Sequence, residues 1–261
     1  MSRPLSLSAV TCGESSQPSI VILHGLLGSS RNWAGMLKLL APDYDCHALD
    51  LRNHGDSPHA DSMVYADQAT DVVAYLDSAG IDRCILIGHS MGGKVAMAVS
   101  ASAPTRVSHL VVVDIAPKAY APRWQAEFAA MRALELASMR SRAEAESALE
   151  PAVPDWAFRK FLLSNIVRRP EGGFAWKVNL PLLEASLPEI FAHSLAENER
   201  YEGPSLFIGG EHSDYVTDED MTAIKHHFPF ADRLTVEGAG HNVHFEKPEA
   251  FVQALTAFVA S

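Results

Sequence analysis

The sequence predicts an α/β protein whose mostly parallel central sheet is flanked by helices and interrupted by a helical insertion. Short apolar runs alternate with amphipathic segments in the first part of the chain and again near its end. Such alternation is typical of a parallel sheet covered on both faces. Between these parts the strand signal disappears, and prolines separate helical patterns. We therefore expect a core of residues 1–117 and 203–261, with the helical insertion at residues 118–202.

The core elements are assigned from apolar runs and from apolar periodicity. Short runs rich in branched apolar side chains predict strands at residues 1–8, 19–23, 43–49, 84–87, 110–113, 205–208 and 233–236. Apolar residues at helical spacing predict helices at residues 65–78, 93–99 and 248–259. Pro248 fits the start of the last helix, because proline is favoured at the first helical position.

The insertion has helical and aromatic signals of its own. Helices are predicted at residues 123–139, 143–149 and 157–167. The segment holds three of the four tryptophans, Trp124, Trp156 and Trp176, and also Phe128, Phe158, Phe161 and Phe174. Some of these rings are expected to line an apolar acyl pocket, although packing of the insertion onto the core is the commoner role of any single ring.

The stretch Gly88-His89-Ser90-Met91-Gly92 lies between a predicted strand and a predicted helix. In this context a Gly-x-Ser-x-Gly pattern forms a nucleophile elbow. Glycines leave room where neighbouring backbone approaches the tight turn. The N-terminus of the following helix presents free N–H groups, which suit a developing oxyanion. Ser90 is therefore the candidate nucleophile, and the alternative is a glycine-rich turn with a bystander serine.

A second motif, His24-Gly25-Leu26-Leu27-Gly28, follows another predicted buried strand. A loop at this place supplies one oxyanion N–H in enzymes that have a nucleophile elbow. We expect the backbone N–H groups of Leu26 and Met91 to form the oxyanion hole. Taken alone, the motif fits equally a strand end that is followed by a turn glycine.

A general base and an acid are also needed to activate a serine. His241 lies in a glycine-rich loop between a predicted strand and the last helix, and the chain order serine, acid, histidine is the one used with a nucleophile elbow. Asp114 and Asp214 both follow predicted strands, where catalytic groups of open α/β sheets gather. Spacing alone does not choose between these two aspartates.

Together these motifs make the chain resemble the α/β-hydrolases, and within them the YbfF-type bacterial esterases, over nearly its whole length. The resemblance is carried by the motifs at residues 24–28, 50–58, 88–94, 114–117, 238–241 and 246–248. The sequences Arg52-Asn53-His54-Gly55 and Asp114-Ile115-Ala116-Pro117 are features of this subgroup. The resemblance implies an α/β-hydrolase fold with a helical cap inserted after strand 6.

The resemblance also bears on the acid. In most α/β-hydrolases the acid follows a later strand in a Gly-x-x-Asp pattern, and counted from Gly210 that position is Ser213 here. YbfF-type relatives lack an acid at this position and use the aspartate after the preceding strand, which matches Asp114. The resemblance therefore implies a triad of Ser90, His241 and Asp114, with Asp214 one position out of register.

Composition narrows the class of function. The net charge of −11 argues against a nucleic-acid partner, because phosphates require a basic surface. No apolar run approaches the ~20 residues of a membrane span, and the N-terminus does not match a signal peptide. Three scattered cysteines without a Cys-x-x-Cys pattern fit a reducing compartment. We expect a cytoplasmic monomer or homodimer that has no membrane partner.

Twelve histidines raise the question of a metal site. The densest pairs, His226 with His227 and His241 with His244, belong to no metal-binding pattern with carboxylates. A Gly-x-Gly-x-x-Gly dinucleotide motif is missing as well. The sequence therefore predicts neither a metal nor a cofactor.

These expectations combine into a serine hydrolase, either a carboxylesterase or an acyl thioesterase, that cleaves small to medium acyl esters or thioesters through an acyl-enzyme. A carbon–carbon bond hydrolase or a cofactor-free perhydrolase would keep the same triad, so the motifs leave both open. A non-catalytic binding module on this fold would be expected to lose a triad member, and this sequence retains all three.

Overall fold

The computed structural model describes residues 3–261 and contains one large sheet and one small sheet. The strands are β1 (Ala9–Cys12), β2 (Ser19–Leu23), β3 (Asp45–Leu49), β4 (Cys84–His89), β5 (Val107–Val113), β6 (Ile166–Arg168), β7 (Phe174–Trp176), β8 (Ser205–Gly210) and β9 (Ala231–Val236). The large sheet has the order β1-β3-β2-β4-β5-β8-β9, and only the β1–β3 pair in it is antiparallel. The prediction of a mostly parallel sheet is thus confirmed.

Helices cover both faces of this sheet. They are α1 (Ala34–Leu40), α2 (Tyr65–Ala79), α3 (Met91–Ser102), α4 (Gln125–Ala133), α5 (Arg142–Leu149), α6 (Trp156–Leu163), α7 (Leu180–Ala185), α8 (Leu187–Phe191), α9 (Met221–His227), α10 (Val243–Glu246) and α11 (Pro248–Val259). Short 3₁₀ turns lie at Ser30–Trp33, Pro104–Arg106, Leu136–Ser138 and Asp218–Asp220.

Alternate residues of the central strands belong to two different parts of the core. In β2, Val21 and Leu23 pack with the apolar residues of α2 and α3. Ile20 and Ile22 belong to the cluster on the other face, which includes residues of α1 and α11. Because both faces are buried, these strands are near-continuous apolar runs rather than alternating ones, as expected for a parallel sheet.

The first strand lies later than the sequence predicts. Residues 3–8 are outside any strand, the strand is β1, and residues 1 and 2 lie outside the described part of the chain. The apolar alternation of Leu5 and Leu7 instead reflects packing onto the core. The Leu5 N–H donates to Asp71 Oδ1 at 2.8 Å and the Ser8 N–H donates to Ser57 Oγ at 2.8 Å, so side chains satisfy these backbone groups in place of a strand ladder.

The insertion contains a strand pair that the sequence reading missed. Between β5 and β8 lie α4 to α8 and also the antiparallel hairpin of β6 and β7. Each hairpin strand has only three residues, too few for a recognisable run, and Gly172 and Gly173 form the turn with positive φ angles of 99° and 72°. The predicted helix 157–167 therefore ends at Leu163.

Two further details differ from expectation. The predicted helix 123–139 ends at Ala133, because Leu134 is extended, and the chain continues into the 3₁₀ turn Leu136–Ser138. The insertion follows the fifth strand of the described chain, since one strand fewer precedes it than the resemblance implies.

Within residues 3–261, the structure contains no helix with the length and apolar character needed to cross a membrane.

Candidate active site

Ser90 occupies a strained turn between β4 and α3. Its φ of 52° and ψ of −118° lie in a region that non-glycine residues rarely adopt. Two backbone hydrogen bonds hold the turn: the Ser90 N–H donates to Val113 O at 2.9 Å, and Ser90 O accepts the Lys94 N–H at 3.1 Å. Such strain persists where the surrounding structure fixes it, and it is common at active sites.

The glycines beside Ser90 are required by close backbone contacts. A Cβ on Gly88 would lie 2.2 Å from Gly92 O, and a Cβ on Gly92 would lie 2.5 Å from His24 O. The start of α3 therefore packs directly on β4 and on the end of β2. This contact brings the loop after β2 to the serine, since a Cβ on Gly25 would lie 3.4 Å from Ser90 Cβ.

We expect Gly88→Ala to lower the free energy of unfolding by about 2–4 kcal/mol, because the new methyl group would push α3 away from β4. Gly35→Ala is the matched control. Gly35 lies in α1, and apart from its chain neighbours and the backbone of its own helix nothing lies within 4 Å of an added Cβ. The control should leave stability unchanged or raise it by up to about 1 kcal/mol. Urea unfolding measures both variants, and equal stabilities would contradict the close packing at Gly88.

His241 and Asp114 are in direct contact. His241 follows β9 and is partly exposed, and its Nδ1 lies 2.7 Å from Oδ2 of Asp114. Asp114 follows β5 and is fully buried. The Asp114 carboxylate also accepts the Gly210 N–H at 3.2 Å and the Ser213 hydroxyl. A buried carboxylate with three donors is held in one orientation, so it can fix the tautomer and the position of the imidazole.

Asp214 lies elsewhere. Its side chain is 76% exposed, and its Oδ2 lies 3.4 Å from an Arg123 guanidinium nitrogen. The neighbouring residue Ser213 donates its hydroxyl to Asp114 instead. Sequence reasoning noted Ser213 as the place where most α/β-hydrolases carry the acid, but missed its contact with the acid on the neighbouring strand. The structure thus brings Asp114, not Asp214, to His241.

A cluster of rings surrounds His241. The Tyr215 ring stacks on it with a centroid distance of 4.2 Å, and His89 Nε2 donates to His241 O at 3.0 Å. Behind it, the His244 ring stacks on Trp33 at 3.9 Å. Burial lowers the pKa of His89 well below its usual value and that of His244 to about 3. These two histidines are therefore neutral packing groups beside His241.

The loop after β2 is held by two neutral histidines. His24 Nδ1 donates to Gly25 O at 2.8 Å, and its Nε2 accepts the Leu51 N–H at 3.0 Å. His54 Nε2 accepts the Leu27 N–H at 3.1 Å. Burial lowers the pKa of His24, and it lowers the pKa of His54 to about 3. In this loop the amides of Leu27 and Gly28 form hydrogen bonds within the described chain, whereas that of Leu26 does not.

The second expected oxyanion donor opens a helix. Met91 is the first residue of α3, where backbone N–H groups lack partners within the helix. Both Met91 and Leu26 are nearly fully buried. The two expected donors therefore come from the segment that follows Ser90 and from the loop that packs against Ser90.

The seven aromatic rings noted in the insertion differ in their burial. Phe128 and Phe174 are buried in the core, and Trp156 is 62% exposed. Trp124, Phe158, Phe161 and Trp176 are partly buried, and the rings of Trp124 and Phe158 lie in edge contact with a centroid distance of 5.2 Å. Trp176 and Pro181 line a cavity of 720 Å³. Ser90, His241 and Asp114 are not among the residues that line it. Six of these seven rings thus pack on the core, and four of the six are only partly buried.

Lys94 of α3, the helix that follows Ser90, forms hydrogen bonds with two segments of the insertion. The residue is buried, and its Nζ donates to Lys118 O at 2.9 Å and to Ala192 O. Burial lowers the pKa of this amine to about 7.

Among residues 3–261, no group of three His, Cys, Asp or Glu side chains is arranged to hold a metal ion.

Comparison with known proteins places the chain in a family. A family model described as the alpha/beta hydrolase fold matches residues 18–248. The chain is 39% identical to the sn-1-specific diacylglycerol lipase ABHD11 of Mus musculus, over 99% of this chain and 86% of that protein. It is 36% identical to the esterase YbfF of Escherichia coli, over 92% of each chain.

A solved structure agrees with these relatives. The chain is similar to a marine microorganism esterase with a TM-score of 0.94 and 37% identity, over 97% of this chain and 99% of that one. The resemblance inferred from the motifs is therefore confirmed. The strand order, the serine turn, the family match and these relatives together show that the chain belongs to the alpha/beta hydrolase fold family.

Proposed function

We propose that this chain is a serine hydrolase of carboxylic esters in which Ser90 is the nucleophile, His241 the general base and Asp114 the acid that orients it. The observation that carries the proposal is the 2.7 Å contact between His241 Nδ1 and Asp114 Oδ2, together with the strained turn at Ser90. Asp114 is fully buried, so its carboxylate can stabilise the imidazolium without competition from water.

The reaction follows from these roles. His241 Nε2 removes the proton of the Ser90 hydroxyl as the Ser90 oxygen attacks the ester carbonyl carbon. The backbone N–H groups of Leu26 and Met91 hold the oxygen that becomes negative. His241 then protonates the leaving alcohol, which leaves an acyl-enzyme. A water molecule activated by His241 releases the acid and restores Ser90.

Substrate choice is assigned to the insertion. We propose that residues 118–202 form a cap over a core of residues 1–117 and 203–261, and that the partly buried rings of Trp124 and Phe158 contact the acyl group. Relatives named as an esterase and as a diacylglycerol lipase favour carboxylic esters as the substrate class. The small to medium length of the acyl chain belongs to the same proposal. Thioesters react through the same acyl-enzyme and belong to the same proposal.

We extend the proposal to the partners and the location of the chain. The chain acts on a small-molecule ester as a monomer or homodimer, without nucleic acid. A cytoplasmic location is favoured by its free cysteines, Cys12, Cys46 and Cys84, which a reducing compartment keeps as thiols. Burial raises the pKa of the Cys46 and Cys84 thiols to about 12, so neither is a reactive thiolate.

A substrate panel tests the proposal. We expect p-nitrophenyl esters of several acyl lengths to be hydrolysed, with a burst of p-nitrophenol that matches the enzyme concentration. Discrimination between neighbouring lengths should be weak, because one methylene group contributes only ~1–3 kcal/mol. Acyl-CoA thioesters form the parallel panel and give the ester-to-thioester preference. Absence of turnover in both panels would overturn the proposal in favour of a carbon–carbon bond hydrolase or a perhydrolase.

A further inference from the structure

The backbone of Leu27 is held by hydrogen bonds with two side chains, one from the core and one from the insertion. Leu27 has a positive φ of 58°, and its side chain is fully buried. From the core, His54 Nε2 accepts the Leu27 N–H at 3.1 Å. From the insertion, Asn165 Nδ2 donates to Leu27 O at 2.8 Å. Both polar groups of this strained residue are thus satisfied by side chains from distant parts of the chain.

Burial and hydrogen bonds hold Asn165 in place. It lies between α6 and β6 and is 4% exposed. Its Nδ2 also donates to Leu162 O at 3.3 Å, and its backbone carbonyl accepts the Lys177 N–H at 2.7 Å. Because Nδ2 faces two carbonyl oxygens, only the orientation with the NH₂ group toward them satisfies both contacts. The Asn165 side chain is therefore a donor to Leu27.

The hydrogen bond between Asn165 and Leu27 lies one residue away from the oxyanion donor of the proposed reaction. Leu27 follows Leu26, whose N–H is the proposed oxyanion donor. A non-glycine residue at positive φ costs roughly 1–3 kcal/mol, and such a conformation persists only while its surroundings hold it. Without the Asn165 hydrogen bond, rotation of the Leu27 carbonyl would relax this strain. Because the strain lies in the φ angle of Leu27, its relaxation would also reorient the Leu26–Leu27 peptide and displace the residue that carries the proposed donor.

We propose that Asn165 is a positioning residue that couples the seating of the insertion to the oxyanion hole. This inference rests on the proposed hydrolase function. It assigns Asn165 no contact with substrate. Asn165 acts through Leu27, so the loop after β2 is competent only when the segment between α6 and β6 is in place.

Asn165→Leu tests the inference, because leucine has a similar shape and no donor. We expect kcat for a p-nitrophenyl ester to fall about tenfold with KM within about twofold, since a misplaced donor costs less than the ~10²–10³ of a lost one. Ser164→Ala is the matched control. Its hydroxyl donates to Phe161 O at the end of α6, so the control perturbs the helix end without touching Leu27. It should keep the kcat of the unmodified chain.

A transition-state mimic supplies a second readout. In an alkyl trifluoromethyl ketone, the Ser90 oxygen adds to the carbonyl carbon, the Ser90 proton passes to His241, and the carbonyl oxygen becomes an oxyanion. We expect the inhibition constant to rise in Asn165→Leu by the same factor by which kcat falls. If Asn165 only caps α6, KM and melting temperature would change while kcat and the inhibition constant stayed within about twofold, and the inference would be wrong.

Asn165→Asp adds a pH signature and serves if the leucine variant does not fold. A protonated aspartic acid can donate to Leu27 O, whereas the carboxylate repels it, and burial raises the pKa of a carboxyl group. We expect the ratio of the variant's kcat to that of the unmodified chain to increase as the pH falls. His54, which faces Leu27 from the core, does not interfere, because burial lowers its pKa to about 3. A ratio independent of pH would contradict the inference.

Two outcomes separate the proposed hydrolase function from the positioning role of Asn165. If the unmodified chain hydrolyses no ester, the proposed function fails. If it hydrolyses esters in a Ser90-dependent reaction and the Asn165 variants match it in kcat and in ketone affinity, only the positioning role fails.

Discussion

Ser90→Ala is expected to lower kcat for ester hydrolysis by about 10⁴–10⁶-fold, because it removes the oxygen that forms the acyl-enzyme in the proposed reaction. The oxyanion hole and substrate binding would remain, so activity above the uncatalysed rate persists. Alanine tolerates the turn as well as serine does, and the fold should be unchanged. Single-turnover measurement with a p-nitrophenyl ester gives the rate, and the initial p-nitrophenol burst should vanish.

Ser102→Ala is the control for this prediction. Ser102 lies at the far end of the same helix, is exposed, and donates its hydroxyl to Ala98 O at 2.7 Å. This variant should retain the activity of the unmodified chain within about twofold, as surface substitutions usually do. Near-normal turnover by Ser90→Ala, in protein free of unmodified enzyme, would show that another group is the nucleophile.

Asp114→Asn is expected to lower kcat by about 10³–10⁴-fold with little change in KM. The carboxylate accepts hydrogen bonds from His241, Gly210 and Ser213. An amide has one acceptor oxygen in place of two, so it cannot satisfy all three donors. The imidazole then loses its orientation, and the charge that it gains during attack on the ester is no longer stabilised. Steady-state kinetics on the same ester measure the effect.

Asp214→Asn is the matched control, because it makes the same chemical change one residue after Ser213. Asp214 and Arg123 form an exposed pair, and such pairs contribute only about 0–1 kcal/mol. This variant should keep kcat within about threefold. A larger loss of activity in Asp214→Asn than in Asp114→Asn would exchange the roles of the two residues.

Much of the core could be predicted from local patterns. The β4 segment is an apolar run because both faces of a central parallel strand are buried, and the glycines at 88 and 92 are required by contacts within one strand–turn–helix unit. The small hairpin of β6 and β7 escaped prediction for the opposite reason. Its strands are too short to carry a pattern, and its formation depends on the surrounding insertion.

Local sequence patterns could not identify the aspartate that contacts His241. Asp114 and Asp214 both follow strands of the same sheet, and spacing along the chain does not separate them. Asp114 lies 127 positions before His241, and its contact with the ring depends on how β5, β8 and β9 are ordered and aligned in the sheet. Resemblance to relatives favoured Asp114 before the structure did, but on a pattern of residues rather than on a distance.

The sequence by itself determined the parallel sheet, the serine turn and the family, because strand burial and the need for glycine in a tight turn are local properties. Only the tertiary structure decided which carboxylate meets His241, that Ser213 supports this carboxylate, and that Asn165 reaches Leu27 from 138 positions away. These contacts join segments whose separation along the chain says nothing about their distance in space. The register of the strands and the seating of the insertion bring them together.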